Sequence, residues 1–227
     1  MKLHGFTELP LRIWGLFKPV RTKTVWGEDI WIAFPEGRMI HRNGMYDSGE
    51  VETFEYLRDR LNSGDTFLNV GANIGFYAML GAYKGAQTYA FEPFPKTFEI
   101  LKKNAKNFTA VPLALTDKRG EYRMNDRGLG QRGLNEITFD GTVKITATTL
   151  DEYCKEFDIR PTFIKVDAEG SELKVVQGGI ETIKRHLPAL MLEVNDTQAK
   201  PVEAILYPLG YKCVHRKWDV VYTHSNI

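Results

Sequence analysis

From Thr66 onward, short apolar runs alternate with segments whose apolar residues recur at helical spacing. That alternation restricts the chain to an α/β fold: a doubly wound, mainly parallel sheet covered by helices on both faces. Thr66–Val70, Gln87–Phe91, Ala110–Leu115, Thr162–Val166 and Ala189–Val194 read as strands. Between and after them, Gly75–Tyr83, Pro95–Asn107, Ser171–Gln177 and Pro201–Leu209 read as helices. Tyr211–His215 and Val220–Thr223, joined at Arg216-Lys217-Trp218, are expected to close the sheet as an antiparallel pair. Upstream, Glu50–Leu61 has the spacing of one more helix, and Arg21–Trp26 and Asp29–Phe34 read as a hairpin across Gly27-Glu28. Pro35–Gly49 reads as a loop, and Leu9–Phe17 as a short amphipathic helix. The expected plan is an extension over residues 1–49 and one α/β domain over 50–227. One segment breaks the alternation: Asn125–Gly141 holds Gly128, Gly130, Gly133 and Gly141 with few core residues. A long loop in a compact domain tends to be functional, so it is expected to border the substrate-facing side of a cleft; the plainer alternative is a hairpin excursion.

At 227 residues with 43% apolar content, the chain can bury a core without staples. Thirty lysines and arginines stand against 29 acids, so no global field draws it to nucleic acid or an anionic membrane. No apolar run approaches a membrane span or a signal peptide, which makes a cytoplasmic location the expectation. Cys154 and Cys213 are too few for a disulfide framework and read as reduced thiols.

The first strand of the alternation ends in Asn69-Val70-Gly71-Ala72-Asn73-Ile74-Gly75. A strand that runs through a glycine turn into a helix is expected to leave backbone N–H groups pointing into a crevice. The spacing Gly71-x-x-x-Gly75 is not the G-x-G-x-x-G that cradles a dinucleotide, and it suits a ligand without phosphate. The second strand ends in Phe91-Glu92-Pro93, with Glu92 lying 21 residues after Gly71. An acid there can accept both hydroxyls of a ribose. In this order the two signals specify an adenosine-bearing ligand at the switch point of the sheet.

Phe67 to Phe76 and Phe91-Glu92-Pro93 resemble the FkbM family of methyltransferases. So do Thr149-Leu150-Asp151 and the stretch Lys165-Val166-Asp167-Ala168-Glu169-Gly170-Ser171-Glu172, and the resemblance runs from about Glu50 to Asn226. It implies a class I methyltransferase fold, S-adenosylmethionine as the methyl donor and, usually, a hydroxyl acceptor on a sugar, glycan or small natural product. The residues then expected around the cofactor are Asn69, Gly71, Ala72, Asn73, Gly75, Phe76, Glu92, Pro93, Phe94, Ala114, Leu115 and Asp167. Where the family's pattern commonly begins with Asp, this chain has Asn69, which accepts a hydrogen bond without bringing charge.

Asp167 follows an apolar strand, at the edge where open α/β sheets bind ligands. A carboxylate there is placed to take the proton of an acceptor hydroxyl, with Glu169 and Glu193 as the other candidate catalytic groups. Lys165 shares a strand face with Asp167, as its partner or as a substrate contact. Glu172, early in a helix, reads as structural. Asp167, Glu193 and Asn195 are oxygen ligands of the kind magnesium takes, but no metal motif surrounds them, and polar strand termini are the favoured reading. His41 and His215 are further candidates for a base near the cleft, although surface histidines are commoner. Three rival readings remain: an RNA ribose methyltransferase, disfavoured by the neutral charge; a nicotinamide-dependent oxidoreductase, disfavoured by the missing G-x-G-x-x-G; and a non-catalytic cofactor-binding protein.

Overall fold

The computed structural model describes residues 18–35, 37–45, 50–126, 128, 136–138, 140–217 and 219–225. The helix expected over Leu9–Phe17, Trp218 of the last turn and most of Asn125–Gly141 lie outside them. A two-stranded antiparallel hairpin comes first, β1 (Val20–Lys23) and β2 (Asp29–Ile32). The expected loop over Pro35–Gly49 is corrected in part, because α1 (Arg38–Asn43) forms within it and ends on Gly44 in the left-handed region. Only Ile40 of α1 is buried, so the sequence carried no apolar stripe to mark it. Helix α2 (Val51–Arg60) follows, with its Arg58 and Arg60 at the end where the helix dipole favours cations.

Seven strands make the central sheet: β3 (Thr66–Val70), β4 (Gln87–Phe91), β5 (Thr109–Val111), β9 (Phe163–Val166), β10 (Ala189–Leu192), β11 (Tyr211–Arg216) and β12 (Val220–His224). Their order is β11-β12-β10-β9-β3-β4-β5, with β12 antiparallel to its neighbours and the rest parallel. The chain moves outward from β3 to β5, then returns to β9 on the other side of β3. That reversal leaves a crevice at the carboxyl ends of β3 and β9.

The single strand expected over Ala110–Leu115 is two strands in two sheets. Pro112 cannot donate to a ladder, and the chain leaves the main sheet there. Beyond it, β6 (Ala114–Leu115) joins β7 (Gly120–Met124) and β8 (Val143–Thr148) in a three-stranded sheet of order β6-β8-β7. The ladder runs on past β7 through a Met124–Ile137 bridge, so the described ends of Asn125–Gly141 belong to a hairpin. Helices α3 (Phe76–Tyr83), α4 (Pro95–Asn104), α5 (Leu150–Glu156), α6 (Glu172–Gln177), α7 (Ile180–His186) and α8 (Asp196–Leu206) complete the layers. Helix α8 starts five residues before the expected Pro201, because Asn195 and Gln198 form a reciprocal capping box. Pro201 is then carried inside the helix.

Two large clusters of buried side chains sandwich the sheet. One packs Leu68, Val70, Ile164, Val166, Leu190 and Leu192 under α5 to α8. The other packs Phe67, Phe163 and Met191 against α2, α3 and the hairpin residues Ile30 and Ile32. Asn104 at the end of α4 joins the hairpin to the glycine turn: its Oδ1 accepts from Trp31 N at 2.7 Å, and its Nδ2 donates to Trp31 O and Ile74 O.

Candidate active site

A cavity of about 280 Å³ opens at the carboxyl ends of β3, β4 and β9. Its floor is the turn after β3. Gly71 has φ 75°, and a Cβ there would lie 1.7 Å from the carbonyl oxygen of Asp167. Only glycine lets the turn after β3 pass this close to the turn after β9. Gly75, at φ 91°, faces away from the cavity, since a Cβ on it would meet Leu101 at 2.5 Å. It lets α3 pack on α4. The expectation of free amides in the crevice is corrected. Gly71 N and Ala72 N both donate to Phe91 O, Asn73 N donates to Glu92 and Gly75 N to Ala72 O. With those four amides already bonded, the turn is a poor phosphate cradle.

Glu92 leaves the end of β4 with its carboxylate clamped: Oε2 accepts from Asn73 N at 3.0 Å and Oε1 from Phe94 N at 2.8 Å. Each oxygen keeps a lone pair for a further donor. Burial pushes the group up to about 7, against the opposing pull of those two amides. Beyond Glu92 the wall turns apolar, with Leu113, Ala114, Leu115, Met124 and Ile137. Met124 and Ile137 pack with Ala114 and Phe94, so the base of the β7–β8 hairpin borders this end of the cavity.

At the other end the strands bring charged groups together. In register, Val70, Val166 and Leu192 are neighbours. The ladder continues one step, with Asp167 N donating to Val70 O and Glu193 N to Val166 O, both at 3.0 Å. Asp167 and Glu193 therefore leave adjacent strand ends side by side. Lys165, only 2% exposed, reaches Asp167 Oδ2 with Nζ at 2.9 Å. Its ammonium also sits 5.1 Å from the centre of the Tyr77 ring, whose hydroxyl donates to Glu50 Oε2 at 2.7 Å. Burial alone would drive the proton off Lys165, but Asp167, Asp219 and Glu193 outweigh it and raise the ammonium above the ordinary lysine range. Burial also opposes ionisation of Asp167, yet Lys165 and a hydrogen bond with Glu193 hold its carboxyl below the usual range. Glu193 goes the other way. Its hydrogen bond to Asp167, its burial and the charge of Asp167 push it up to about 9. Glu172 fixes the turn after β9 by accepting from Ala168 N and Gly170 N, as a structural acid should.

Of the expected residues, Gly71, Ala72, Asn73, Phe76, Glu92, Pro93, Ala114, Leu115, Asp167, Glu169 and Glu193 all line the cavity. Asn69, Gly75 and Phe94 do not; Asn69 is 1% exposed beneath the turn with its Nδ2 unbonded, and Phe94 acts through its backbone N–H on Glu92. His41 packs on Phe34 near Thr22, and His215 on Tyr56, both away from the cavity. Sequence reasoning missed Glu50 and the contact of Tyr77 with it. Asp219, which accepts from Thr53 Oγ1 and adds its charge to the Lys165 cluster, was missed too. Among the described residues no group of three His, Cys, Asp or Glu side chains is arranged to hold a metal ion.

The Methyltransferase FkbM domain family matches residues 69–213, from the glycine turn to β11. The hexuronic acid methyltransferase AglP of Haloferax volcanii is 30% identical over 135 residues, covering 57% of this chain and 56% of that protein. The chain therefore aligns with little more than half the length of this curated relative. Among solved structures, the methyltransferase FkbM from Methylobacillus flagellatus KT superposes with a TM-score of 0.54 at 18% identity, over 83% of this chain and 60% of the other. The Pyrococcus abyssi tRNA (uracil-54, C5)-methyltransferase, solved with S-adenosyl-L-homocysteine, gives 0.51 at 10% identity over 90% and 43% of the two chains. At these identities the two structures share the fold.

Proposed function

The chain belongs to the FkbM methyltransferase family, and we propose that it transfers a methyl group from S-adenosylmethionine to a hydroxyl of a sugar, glycan or small natural product. The observation that carries this reading is the Asp167 carboxylate, held by a buried lysine at one end of a cavity whose other end presents the clamped Glu92 carboxylate. The cavity suits the cofactor along its length. Glu92, fixed by two amides, presents free lone pairs to a pair of hydroxyls, and the apolar wall at Ala114 and Leu115 suits a flat base. The turn between them withholds its amides from phosphate. When bound, the cofactor supplies an electrophilic methyl group on a positively charged sulfur.

The residues of the chain do the rest. Glu92 orients the nucleoside end, and Asp167 accepts the proton of the acceptor hydroxyl at a carboxylate oxygen. Lys165 keeps Asp167 charged, and Glu50 and Tyr77 form the wall nearest the acceptor. The buried ammonium of Lys165 already neutralises Asp167, which supports a reaction run without a divalent cation there. The test is methyl transfer from isotopically labelled S-adenosylmethionine to a panel of glycans, sugars and phenolic natural products. Label in a base-stable methyl ether is the expected outcome. Label recovered only in RNA, or in no acceptor while the cofactor still binds, would overturn the reading.

A further inference from the structure

Asp167 and Glu193 are two carboxyl groups that leave adjacent strand ends side by side and line one cavity. Two neighbouring carboxyls in one partly buried cavity do not both ionise readily; one keeps a proton. Which one keeps it decides what each can do, because an ionised carboxylate only accepts and a protonated one also donates. The cation that breaks the symmetry is Lys165. It lies two residues before Asp167 on the same strand, is almost wholly buried and bonds Asp167 Oδ2 at 2.9 Å.

Resting on the hydroxyl-transfer reading above, we propose that Lys165 is a positioning residue that gives the two carboxyls opposite roles. Asp167 is kept as the ionised proton acceptor, and Glu193 as the protonated partner that donates a hydrogen bond to it. The surroundings agree. Around the pair stand Lys165 from β9, Glu50 ahead of α2, Tyr77 on α3, Glu169 in the turn after β9 and Asp219 ahead of β12. Glu92 and Glu172 also feel the charge of Asp167. Among these described groups Lys165 is the sole cation, and its bond goes to Asp167. The acids around it penalise a second negative charge, and Glu193 escapes that penalty by holding its proton. As the acceptor hydroxyl takes the methyl carbon, the carbon–sulfur bond breaks with its electron pair left on sulfur. The hydroxyl proton passes to a lone pair of the Asp167 carboxylate and then to solvent. Glu193 keeps its own proton throughout.

The experiment is a carboxyl-carbon NMR titration of the free protein, labelled at Asp and Glu side chains and assigned with Asp167→Asn and Glu193→Gln. The Asp167 signal should stay ionised across neutral pH, and the Glu193 signal should stay protonated until about pH 9. In Lys165→Met the Asp167 signal should titrate at clearly higher pH than in the parent, because burial then goes unopposed by the ammonium. Should that variant not fold, Glu193→Gln carries the kinetic arm, since Gln keeps a neutral donor in place. It should lose less than about tenfold in rate at neutral pH, against ~10²–10⁴ for Asp167→Asn. It should also lack the parent's fall in rate above about pH 9. A Glu193 that titrates in the ordinary carboxylate range, or a Glu193→Gln variant as impaired as Asp167→Asn, overturns the proposal. An Asp167→Asn variant that transfers methyl at the parental rate instead overturns the hydroxyl-transfer reading beneath it.

Discussion

At the end proposed for the cofactor the cleft is made of one continuous stretch of backbone, Gly71 to Asn73, with Glu92 locked to it by main-chain amides; at the end proposed for the acceptor, Glu50, Tyr77, Lys165 with Asp167, Glu193 and Asp219 arrive from five separate places in the chain and are held by their side chains. The contrast separates two kinds of fragility. A backbone-built end fails when the path of the chain is blocked. A charge-built end fails when the balance of charge changes, even if every atom stays where it was.

The sharpest break is therefore an isosteric one. Asp167→Asn keeps the shape of the acceptor end and removes its charge, so turnover should fall by ~10²–10⁴ while affinity for S-adenosylhomocysteine changes by no more than a few fold. Steady-state kinetics and calorimetry on the same preparation check both halves. A comparable loss of cofactor affinity would show that the two ends are not separable.

Next in size is Gly71→Ala. The added methyl group would enter the Asp167 carbonyl, at a position whose φ of 75° already disfavours a side chain. Overpacking and left-handed strain together should cost on the order of 3 kcal/mol, read as a fall in the denaturation midpoint. Because the blocked contact joins the turns after β3 and β9, this variant should damage both ends of the cleft. Thermal unfolding within a degree of the parent would mean that the turns can separate without cost.

The same contrast explains what the sequence showed. The glycine turn and Glu92 were legible because each is a short local pattern at a strand end, and Asp167 and Glu193 were found by the same rule. Glu50 and Asp219 carry no local mark; only the strand register and the packing of α2 bring them to Lys165. The missed strands are a different matter. In β8, Val143, Ile145 and Ala147 alternate with Lys144, Thr146 and Thr148, and Thr149 with Glu152 is a capping-box pattern that opens α5. Those signals were present in a stretch between Asn125–Gly141 and Thr162 to which no element was assigned. Pro112 misled in the opposite direction: its apolar neighbours look like one strand, and only its missing N–H divides it.

A third prediction turns on pH at the cofactor end. Glu92 is raised by burial from 4.5 to about 7, so folding favours its protonated form. The stability this contributes is present below about pH 4.5 and lost as pH rises through about 7. The ligand should respond in the opposite sense, because ribose hydroxyls bond best to the ionised carboxylate. Affinity for S-adenosylhomocysteine should rise as pH increases through 7, and Glu92→Ala should lose about 1–3 kcal/mol of binding at pH 8 together with that pH dependence. Calorimetry at pH 6, 7 and 8 measures it. An affinity independent of pH in the parent protein would remove Glu92 from the ribose site.

The smallest expected effect isolates one hydroxyl at the acceptor end. Tyr77→Phe keeps the ring against the Lys165 ammonium and deletes the 2.7 Å hydrogen bond to Glu50. Burial raises the Glu50 carboxyl and the Tyr77 hydroxyl pulls it back, so the variant should raise it further. A group raised in the folded state contributes stability at low pH that is lost as pH rises through its folded value. As pH falls and Glu50 takes up its proton it needs the donor less, so the variant should lie closer to the parent at pH 5 than at pH 8. Where Glu50 is ionised it has lost its partner, and the variant should be about 1 kcal/mol less stable. Cofactor affinity should be unchanged at both values, since Glu92 and the glycine turn do not touch this pair. Denaturant unfolding at pH 5 and pH 8 reads the difference. An equal loss at the two pH values would mean that Tyr77 acts through packing, and that its bond to Glu50 carries no charge-dependent part of the acceptor wall.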